Sequence, residues 1–420
     1  MTKDGFFLFL AFAFLTPISS VAASEWLLQR RPAECLDTLP LLSPPEDLGV
    51  NGWELARFPH DISLEELRAH CPSLQGEPNL KFLPLRVRSM AGGDPSLSQQ
   101  WGLEDIRALQ VPEGPGALVA VLDTGVDETH PELRSALWKN PGESGLDSRG
   151  HPKETNGIDD DGNGFIDDVI GWDFVDNDNK PSDELSWANE GHGTHLTGII
   201  AAQANNGIGI RGVSPGSSVM ILRFIDTNGY GTTSAAIRAV QYALKQGAKI
   251  LNISWGGDEA GVTASRALRD VFVEAERAGT LVVVAAGNGS IDLDESPGSS
   301  VPASYRLGNM VVVAASGPGG HRANFSNFGL KSVDLAAPGI GILSTVPGGG
   351  FARFDGSSVA VPHVVGALSR MWGESPSLTA QQLKRALLES VTPTPILRNR
   401  VSTSGRINME NLWRDISKIR

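Results

Sequence analysis

Three side chains of the kinds that cooperate in acyl transfer lie far apart in this sequence of 420 residues. Asp123 ends an apolar run, His192 stands among glycines and threonine, and Ser358 precedes an apolar stretch. A serine hydroxyl becomes a useful nucleophile when an imidazole takes its proton, and a carboxylate fixes the tautomer of that imidazole. Each residue alone is weak evidence, because a strand-end aspartate often caps a helix and a lone histidine is often structural. Together, in the order Asp, His, Ser, they predict a catalytic triad.

An amide that could stabilise the negative charge of an acyl-transfer intermediate follows another apolar run. Asn288 offers a side-chain N–H there, and the backbone N–H of Ser358, at a predicted helix start, could be a second donor. Preorganised donors of this kind are usually the largest single contribution to such catalysis. The chemistry alone leaves two choices open. The base could be His192 or His195, and the nucleophile could be Ser358 or Ser357.

Apolar runs of strand length alternate with helical patterns from residue 117 onward. Uninterrupted Val, Ile and Leu runs between helices are typical of a parallel sheet buried on both faces, and functional groups gather beyond the carboxyl ends of such strands. We therefore predict an α/β fold with three layers, a mostly parallel sheet with helices on both faces, preceded by a small α+β unit. The strand-like runs are Ala117–Leu122, Val219–Ile225, Lys249–Ser254, Leu281–Ala286 and Met310–Ala315, and the helical stretches are 194–205, 232–245, 262–278 and Leu378–Val391.

A second group of candidate ligands lies in an acidic loop. Residues 159–164 fit the D-x-[DN]-x-[DN]-G start of a loop that wraps Ca²⁺ in oxygen ligands. No glutamate follows at the twelfth position, so a true EF-hand is not expected, and Asp167 or Asp168 would close the shell. The alternative is a solvated acidic loop that binds nothing. The predicted calcium ligands are Asp159, Asp161, Asn163, the carbonyl of Phe165, and Asp168.

Two regions precede the predicted catalytic domain, which we assign to residues 91–420. Residues 1–23 combine a short apolar run with small residues at a cleavage-site spacing, a pattern typical of a secretory signal peptide. Residues 24–90 are proline-rich at first and then show a small α+β pattern. Cys35 and Cys71 are the only cysteines, and in an exported chain they could pair or remain buried thiols.

Taken together, these segments resemble the subtilase family of serine peptidases over nearly all of residues 94–412. The resemblance implies the catalytic roles of Asp123, His192, Ser358 and, as the oxyanion-stabilising amide, Asn288. Other segments typical of the family are Asp94–Leu97, Gln100–Leu103, Phe325–Gly329, Val333–Gly339 and Gly405–Asn408.

The resemblance also favours His192 over His195 and Ser358 over Ser357. One departure lies beside the nucleophile, where the family usually has methionine and this chain has Val359. Valine has no oxidisable thioether, so we expect activity to resist peroxide better than in methionine-bearing relatives.

Substrate-binding segments follow from the same resemblance. The family holds an extended peptide between two strand-like segments by backbone hydrogen bonds. In this chain the two segments match Gly229–Gly231 and Ser254–Gly256. The first specificity pocket should be bordered by Trp255 and by a third segment, Ala285–Gly287. These residues indicate a preference for apolar substrate side chains. Three acidic residues on the next loop, Asp292, Asp294 and Glu295, could instead favour a basic residue. The predicted substrate-binding residues are Gly229, Tyr230, Gly231, Ser254, Trp255, Gly256, Ala285, Ala286 and Gly287.

The resemblance further implies a zymogen. Residues 24–90 would be a propeptide that assists folding and inhibits the enzyme; the alternative is an N-terminal binding module that is never removed. The calcium of the acidic loop would serve stability rather than chemistry. A second calcium loop is indicated weakly near Ala202–Gly212. We expect a secreted monomer that acts on proteins or peptides and does not insert stably into membranes after signal removal.

Other function classes fit the sequence less well. The formal net charge of -13 argues against nucleic acid as the main partner. An esterase of the α/β-hydrolase type would need a G-x-S-x-G elbow and a metallopeptidase would need H-E-x-x-H, and neither motif is present around the candidate residues. A catalytically weak or inactive scaffold of the same fold is the remaining alternative, and the complete set of catalytic residues disfavours it.

Overall fold

The computed structural model describes residues 24–29, 41–50, 52–59, 62–70, 74–79, 81–84, 97–186, 189–257 and 265–418. The chain divides into two compact units, Met1–Asp47 with Gly52–Pro78 and Leu48–Asn51 with Asn79–Arg420. The predicted signal peptide lies outside the described residues apart from its boundary at Ser24, and both cysteines lie outside them as well.

The smaller unit is a four-stranded antiparallel sheet with one helix. Its elements are β1 Ser24–Gln29, β2 Glu46–Asp47, β3 Trp53–Phe58, α1 Leu64–His70 and β4 Gln75–Pro78. The strand order is β2-β3-β1-β4, so the proline-rich start of this region contributes a central strand that its sequence did not indicate. Ser63 and Glu66 form a capping box that starts α1. The hydrophobic core of this unit lies between the sheet and helix α1. It consists of Trp26, Leu28, Ala56, Phe58, Ile62, Leu67 and Leu74.

The larger unit is built on strands that alternate with helices. Its strands are β5 Lys81–Pro84, β6 Leu118–Asp123, β7 Gly171–Asp173, β8 Ser218–Arg223, β9 Gly231–Thr232, β10 Ile250–Ile253, β11 Trp255–Gly256, β12 Leu281–Ala285, β13 Met310–Ser316, β14 Leu335–Pro338, β15 Ile342–Val346, β16 Gly350–Phe354, β17 Thr392–Pro393 and β18 Gly405–Arg406. Its helices are α2 Trp101–Asp105, α3 His192–Ala201, α4 Thr233–Lys245, α5 Arg266–Arg277, α6 Ser357–Glu374, α7 Ala380–Glu389 and α8 Met409–Ser417.

Nine of these strands form one sheet in the order β17-β18-β14-β13-β12-β10-β6-β8-β7. All neighbours pair in parallel except β17 and β18, so the predicted mostly parallel sheet is confirmed. Alternate residues of the central strands pack against two different helix pairs, α3 with α6 and α4 with α5. The three-layer α/β architecture predicted from the apolar runs is therefore present.

The carboxyl ends of the parallel strands are where the candidate catalytic residues lie. Asp123 is the last residue of β6, and Asn288 follows β12 by three positions. Two smaller sheets lie in the same unit: β11, β5 and β9 form an antiparallel sheet, and β15 pairs with β16. Among the described residues, no helix has the length and apolar composition needed to cross a membrane.

Candidate active site

Strand β6 delivers Asp123 to the site, and the side chain is fully buried. The strand pairs on both sides, with β8 and β10, so its last residue has little freedom. Oδ1 of Asp123 accepts the N–H of Thr124 at 2.9 Å and lies 2.7 Å from Nδ1 of His192. Because a carboxylate only accepts, Nδ1 carries the proton and Nε2 is the basic nitrogen of the neutral imidazole.

His192 opens helix α3 and is surrounded by small residues because the helix start lies against the loop after Asp123. A Cβ added at Gly193 would lie 2.2 Å from the carbonyl oxygen of Gly125, so a side chain is excluded there. The N–H of Gly193 donates to the hydroxyl of Thr124 at 2.9 Å. The close approach that glycine permits therefore brings the histidine onto the carboxylate.

A buried pair, Asp183 and Asn189, holds the first turn of α3 from another direction. Oδ1 of Asn189 accepts the N–H groups of Gly191 at 3.0 Å and of His192 at 3.3 Å. Its amide donates to Asp183 at 2.8 Å, and Asp183 accepts both the N–H and the hydroxyl of Thr194. Sequence reasoning missed this pair, because its members reach the helix only through the folding of the loop before it.

Ser358 lies in the first turn of α6, and its backbone is tied to the substrate-binding segment around Ser254. Pro362, four residues later, has no N–H to donate to the Ser358 carbonyl. The hydroxyl of Ser254 takes that role at 2.8 Å. Within the described part of the chain, neither Oγ of Ser358 nor Nε2 of His192 has a hydrogen-bond partner, although both are buried. A hydrogen bond between a catalytic base and its nucleophile often closes only when substrate binds.

Asn288 is held with its amide nitrogen toward the serine. Its Oδ1 accepts both the N–H and the hydroxyl of Ser357, each at 2.9 Å. A Cβ added at Gly356 would lie 2.8 Å from Oγ of Ser358 and 3.5 Å from Nδ2 of Asn288. Gly356 therefore leaves open a small space that faces both the nucleophile and the amide donor.

The two alternative candidates, His195 as the base and Ser357 as the nucleophile, have other partners. His195 stacks on Phe354 with ring centroids 4.0 Å apart, and its Nε2 lies 3.0 Å from the carbonyl of Ile342. Burial, with a smaller effect of the neighbouring His192, lowers the pKa of His195 to about 3. Ser357 accepts from the N–H of Gly287 and donates to Asn288. Both side chains are thus engaged in holding the site.

Two of the predicted substrate-binding segments already carry a strand of the same chain. β5 lies between β9 and β11 and pairs antiparallel with both, Phe82 opposite Gly231 and Leu83 opposite Gly256. Gly229 is in the turn before β9, and Tyr230 is 44% exposed. The side chain of Trp255 is fully buried and packs edge-on against Phe224.

The third predicted segment, Ala285–Gly287, is buried next to the nucleophile helix. Ser300 donates from its hydroxyl to the carbonyl of Ala286 at 3.0 Å. The next residue, Val301, accepts the N–H of Gly257 at 3.0 Å. Ser300 and Val301 thus connect the two walls of the expected first pocket, and no sequence motif indicates this connection.

Two of the three acidic residues on the loop after Asn288, Asp292 and Asp294, form hydrogen bonds within the protein. The carboxylate of Asp294 accepts the N–H of Lys331 at 2.8 Å and lies 3.2 Å from the guanidinium of Arg306. Partial burial would raise the pKa of Asp294, but hydrogen bonds from Ser332 and Lys331 and the charge of Arg306 lower it. Asp292 accepts the N–H of Asp294. Arg306 thus compensates the charge of Asp294 within this part of the structure.

The acidic loop gathers three carboxylates, one of which was not predicted. One oxygen each of Glu143, Asp159 and Asp161 lie within 4.8 Å of one another. Glu143 is completely buried, and its Oε2 has no hydrogen-bond partner in the described part of the chain. Its other oxygen accepts the N–H groups of Asp160 and Asp161. No local motif marks Glu143, which lies 16 positions before Asp159 in the sequence.

The remaining predicted ligands of this loop are engaged with the protein. Asp168 is buried and accepts hydrogen bonds from Asn140, Asn163 and the hydroxyl of Tyr242. Burial, together with the charge of Asp161, raises the pKa of Asp168. The ring of Phe165 packs edge-on against three aromatic rings, and Oδ1 of Asn163 accepts its N–H. The structure thus groups Asp159 and Asp161 with Glu143 rather than with Asp168.

Comparisons with known proteins identify the family of this chain. A model of the Subtilase family matches residues 114–407. Thermitase of Thermoactinomyces vulgaris is 35% identical over 272 residues, 64% of this chain and 80% of that protein. A thermophilic serine proteinase of Bacillus sp. (strain AK1) is 37% identical over 251 residues, 60% of this chain and 51% of that protein.

A solved structure shares the fold across nearly the whole chain. Fervidolysin from Fervidobacterium pennivorans, described as a keratinolytic enzyme related to subtilisin, matches with a TM-score of 0.71. The match covers 95% of this chain and 62% of that one, at 21% sequence identity. At that identity the likeness concerns the fold alone.

Proposed function

This chain belongs to the subtilase family and is a serine endopeptidase, and from that premise we propose that Asp123, His192 and Ser358 form its catalytic triad. His192 Nε2 takes the proton of Ser358 Oγ as that oxygen attacks the carbonyl carbon of a peptide bond. The same proton then passes to the leaving amine, which gives an acyl-enzyme that water hydrolyses. Asp123 keeps Nδ1 protonated and stabilises the imidazolium through the 2.7 Å contact.

Asn288 supplies the oxyanion donor in this proposal. The carbonyl oxygen becomes negatively charged when the tetrahedral intermediate forms, and preorganised N–H groups stabilise that charge. The observation that carries the assignment is the space at Gly356, which faces Oγ of Ser358 and Nδ2 of Asn288 together. Ser357 supports it, because its N–H and hydroxyl both donate to Oδ1 of Asn288 and so fix the orientation of the amide.

The test is hydrolysis of casein and of a chromogenic peptide by the purified protein. Ser358→Ala should abolish cleavage, and a serine-directed sulfonyl fluoride should do the same to the unchanged chain. Ser214→Ala is the matched control, because it also removes a fully buried hydroxyl that has no partner in the described residues. Unchanged cleavage by Ser358→Ala, or no cleavage by the processed wild type, would refute the proposal.

We also propose that the chain is made as a zymogen and that β5 blocks the substrate cleft. The supporting observation is that β5 pairs with both segments expected to hold a peptide. Pro84 lies opposite Trp255, so the next antiparallel partner of the segment is Ser254, which is tied to the backbone of Ser358. Processing is therefore expected at Leu85–Arg86, within the predicted propeptide rather than at the boundary at residue 90 expected from the sequence.

The processing site is tested by sequencing the N-terminus of the mature protein. A new N-terminus at Arg86 in the wild type, and an unprocessed chain in Ser358→Ala, is the expected result. Cleavage by an added protease at another position, with β5 retained in the active form, would contradict it. Secretion is part of the same proposal, and its support is the signal-peptide pattern of residues 1–23.

The acidic loop is proposed to bind a structural Ca²⁺ through Glu143, Asp159 and Asp161. Oxygen donors within reach of one another suit a hard cation, and a buried carboxylate oxygen without a partner is costly unless a cation compensates it. Burial, together with the charges of neighbouring Asp168 and Asp161, raises the pKa of Glu143 in the absence of a cation. A chelator should lower the melting temperature of inactive Ser358→Ala. No change in melting temperature would mean that the loop is merely acidic.

A further inference from the structure

The segment Phe325–Gly329 has no role in the chemistry proposed above, yet one of its residues contacts the loop that carries Asn288 on both sides. Asn327 is fully buried. Its Oδ1 accepts the N–H of Gly289 at 3.0 Å and of Ile291 at 2.9 Å. Its Nδ2 donates to the carbonyl of Ala286 at 2.9 Å, and its own N–H donates to the carbonyl of Gly287 at 2.9 Å.

The loop around Asn288 needs such external support because its backbone departs from regular structure. Gly287 has φ +102° and Ser290 has φ +60°, so left-handed conformations stand on both sides of the amide. A serine in that region is costly unless its surroundings impose it. Residues 286, 287, 289 and 291 all bond to Asn327, and only the catalytic residue and Ser290 between them do not.

An asparagine suits this position for a chemical reason. The site needs one acceptor for two N–H groups and one donor for a carbonyl at the same time, and a short carboxamide supplies both. Alanine would leave two buried N–H groups and a carbonyl unsatisfied, and aspartate would set an oxygen against the carbonyl of Ala286.

We propose that Asn327 is a positioning residue for the oxyanion donor: it fixes the loop so that Nδ2 of Asn288 points at the developing charge. The inference rests on the proposed function of Asn288. Misplacement of a catalytic group by about 1 Å can cost about a hundredfold in rate, so the loss on removing Asn327 should fall near that size.

The test compares Asn327→Ala, Asn288→Ala and the double variant, with Asn309→Ala as the control. Asn309 is also buried and donates to a backbone carbonyl, that of Thr280, but it lies at the amino-terminal end of β13, away from the site. Asn327→Ala should lower kcat about tenfold to a hundredfold with little change in KM. The double variant should be little worse than Asn288→Ala, since both changes remove one function.

A second measurement separates positioning from a general loss of structure. A peptide aldehyde forms a tetrahedral adduct whose oxygen needs the oxyanion donor, whereas the matched peptide amide binds without one. Affinity for the aldehyde should fall with kcat in Asn327→Ala, and affinity for the amide should stay unchanged. Asn327→Asp, which keeps the acceptor for Gly289 and Ile291, is the second variant and should show the same selective loss.

Equal loss of aldehyde and amide affinity in both variants would overturn the proposal. So would full additivity with Asn288→Ala, or failure of both Asn327 variants to fold while Asn309→Ala folds. If Asn288→Ala itself leaves kcat unchanged, the proposed function of Asn288 is wrong. If Asn288→Ala lowers kcat but Asn327→Ala has no effect, only the proposal for Asn327 is wrong.

Discussion

Replacing Gly356 by alanine should remove activity without unfolding the protein. The backbone of Gly356 is extended, with φ 163° and ψ 158°, a region that alanine also adopts. The new methyl group would lie 2.8 Å from Oγ of Ser358 and 3.5 Å from Nδ2 of Asn288. It would therefore occupy the space where the oxyanion has to sit, at about 2.7–3.1 Å from its donors.

The size of the effect follows from the donors that the methyl group blocks. Losing one oxyanion donor costs about 10²–10³ in kcat, or roughly 2.7–4 kcal/mol of transition-state stabilisation. The serine hydroxyl must also rotate away from the methyl group, so we expect a fall of at least about 10³ in kcat/KM. The free energy of unfolding should change by no more than about 1–3 kcal/mol, the usual cost of one extra methyl group in a packed site.

The assay is hydrolysis of a peptide p-nitroanilide, with urea unfolding of the same preparation. Gly350→Ala is the matched control, because a Cβ there meets only the Val346 side chain at 3.3 Å, on the β15–β16 hairpin. It should retain activity. If Gly356→Ala keeps kcat within about threefold of the wild type, the intermediate's oxygen does not lie between Ser358 and Asn288, and the reasoning is refuted.

Three other predictions concern stability and oxidation. Burial lowers the pKa of His195 to about 3 and of His363 to about 4. Both side chains therefore stay neutral in the folded protein, whereas in the unfolded chain they take up protons below pH 6.5. The free energy of unfolding of Ser358→Ala, measured with urea, should thus fall as the pH drops below 6.5, by about 2 kcal/mol per histidine at pH 5. Adding His195→Gln should make this free energy depend less steeply on pH. An unchanged slope would contradict this. Glu143→Gln should weaken calcium binding, measured by titration calorimetry, about as much as Asp159→Asn; an unaffected affinity would exclude Glu143 as a ligand. Dilute peroxide should spare activity in the wild type and reduce it in Val359→Met, and equal losses would show that position 359 does not control oxidation.

The sheet was predictable because its strands are buried on both faces and so read as uninterrupted apolar runs. β12, for example, is apolar throughout, and β13 is apolar from Met310 until its last residue, Ser316. The strand at Ser24–Gln29 was not recognised, because its pairing with β3 and β4 is long-range and its surroundings are rich in proline. The last helix, Met409–Ser417, was not predicted either.

The candidate catalytic residues could be proposed from sequence because each stands beside small residues in a short segment typical of the family. Glu143 and Asn327 could not, since each acts on residues 16 or more positions away through the folded backbone. Contacts of this kind depend on loop conformation, which neither periodicity nor a local motif determines. Asp168 stays a prediction: its spacing suits a cation ligand, and in the structure its oxygens accept hydrogen bonds from Asn140, Asn163 and Tyr242.

The most direct test of the triad is covalent labelling by a fluorophosphonate, followed by peptide mapping. Such a reagent reacts with a serine whose hydroxyl is activated by a neighbouring base. The wild type, after processing, should be labelled at Ser358 alone, and His192→Ala should slow the labelling by at least about 10³. Label on Ser357 or another serine, or unchanged labelling in His192→Ala, would contradict the account.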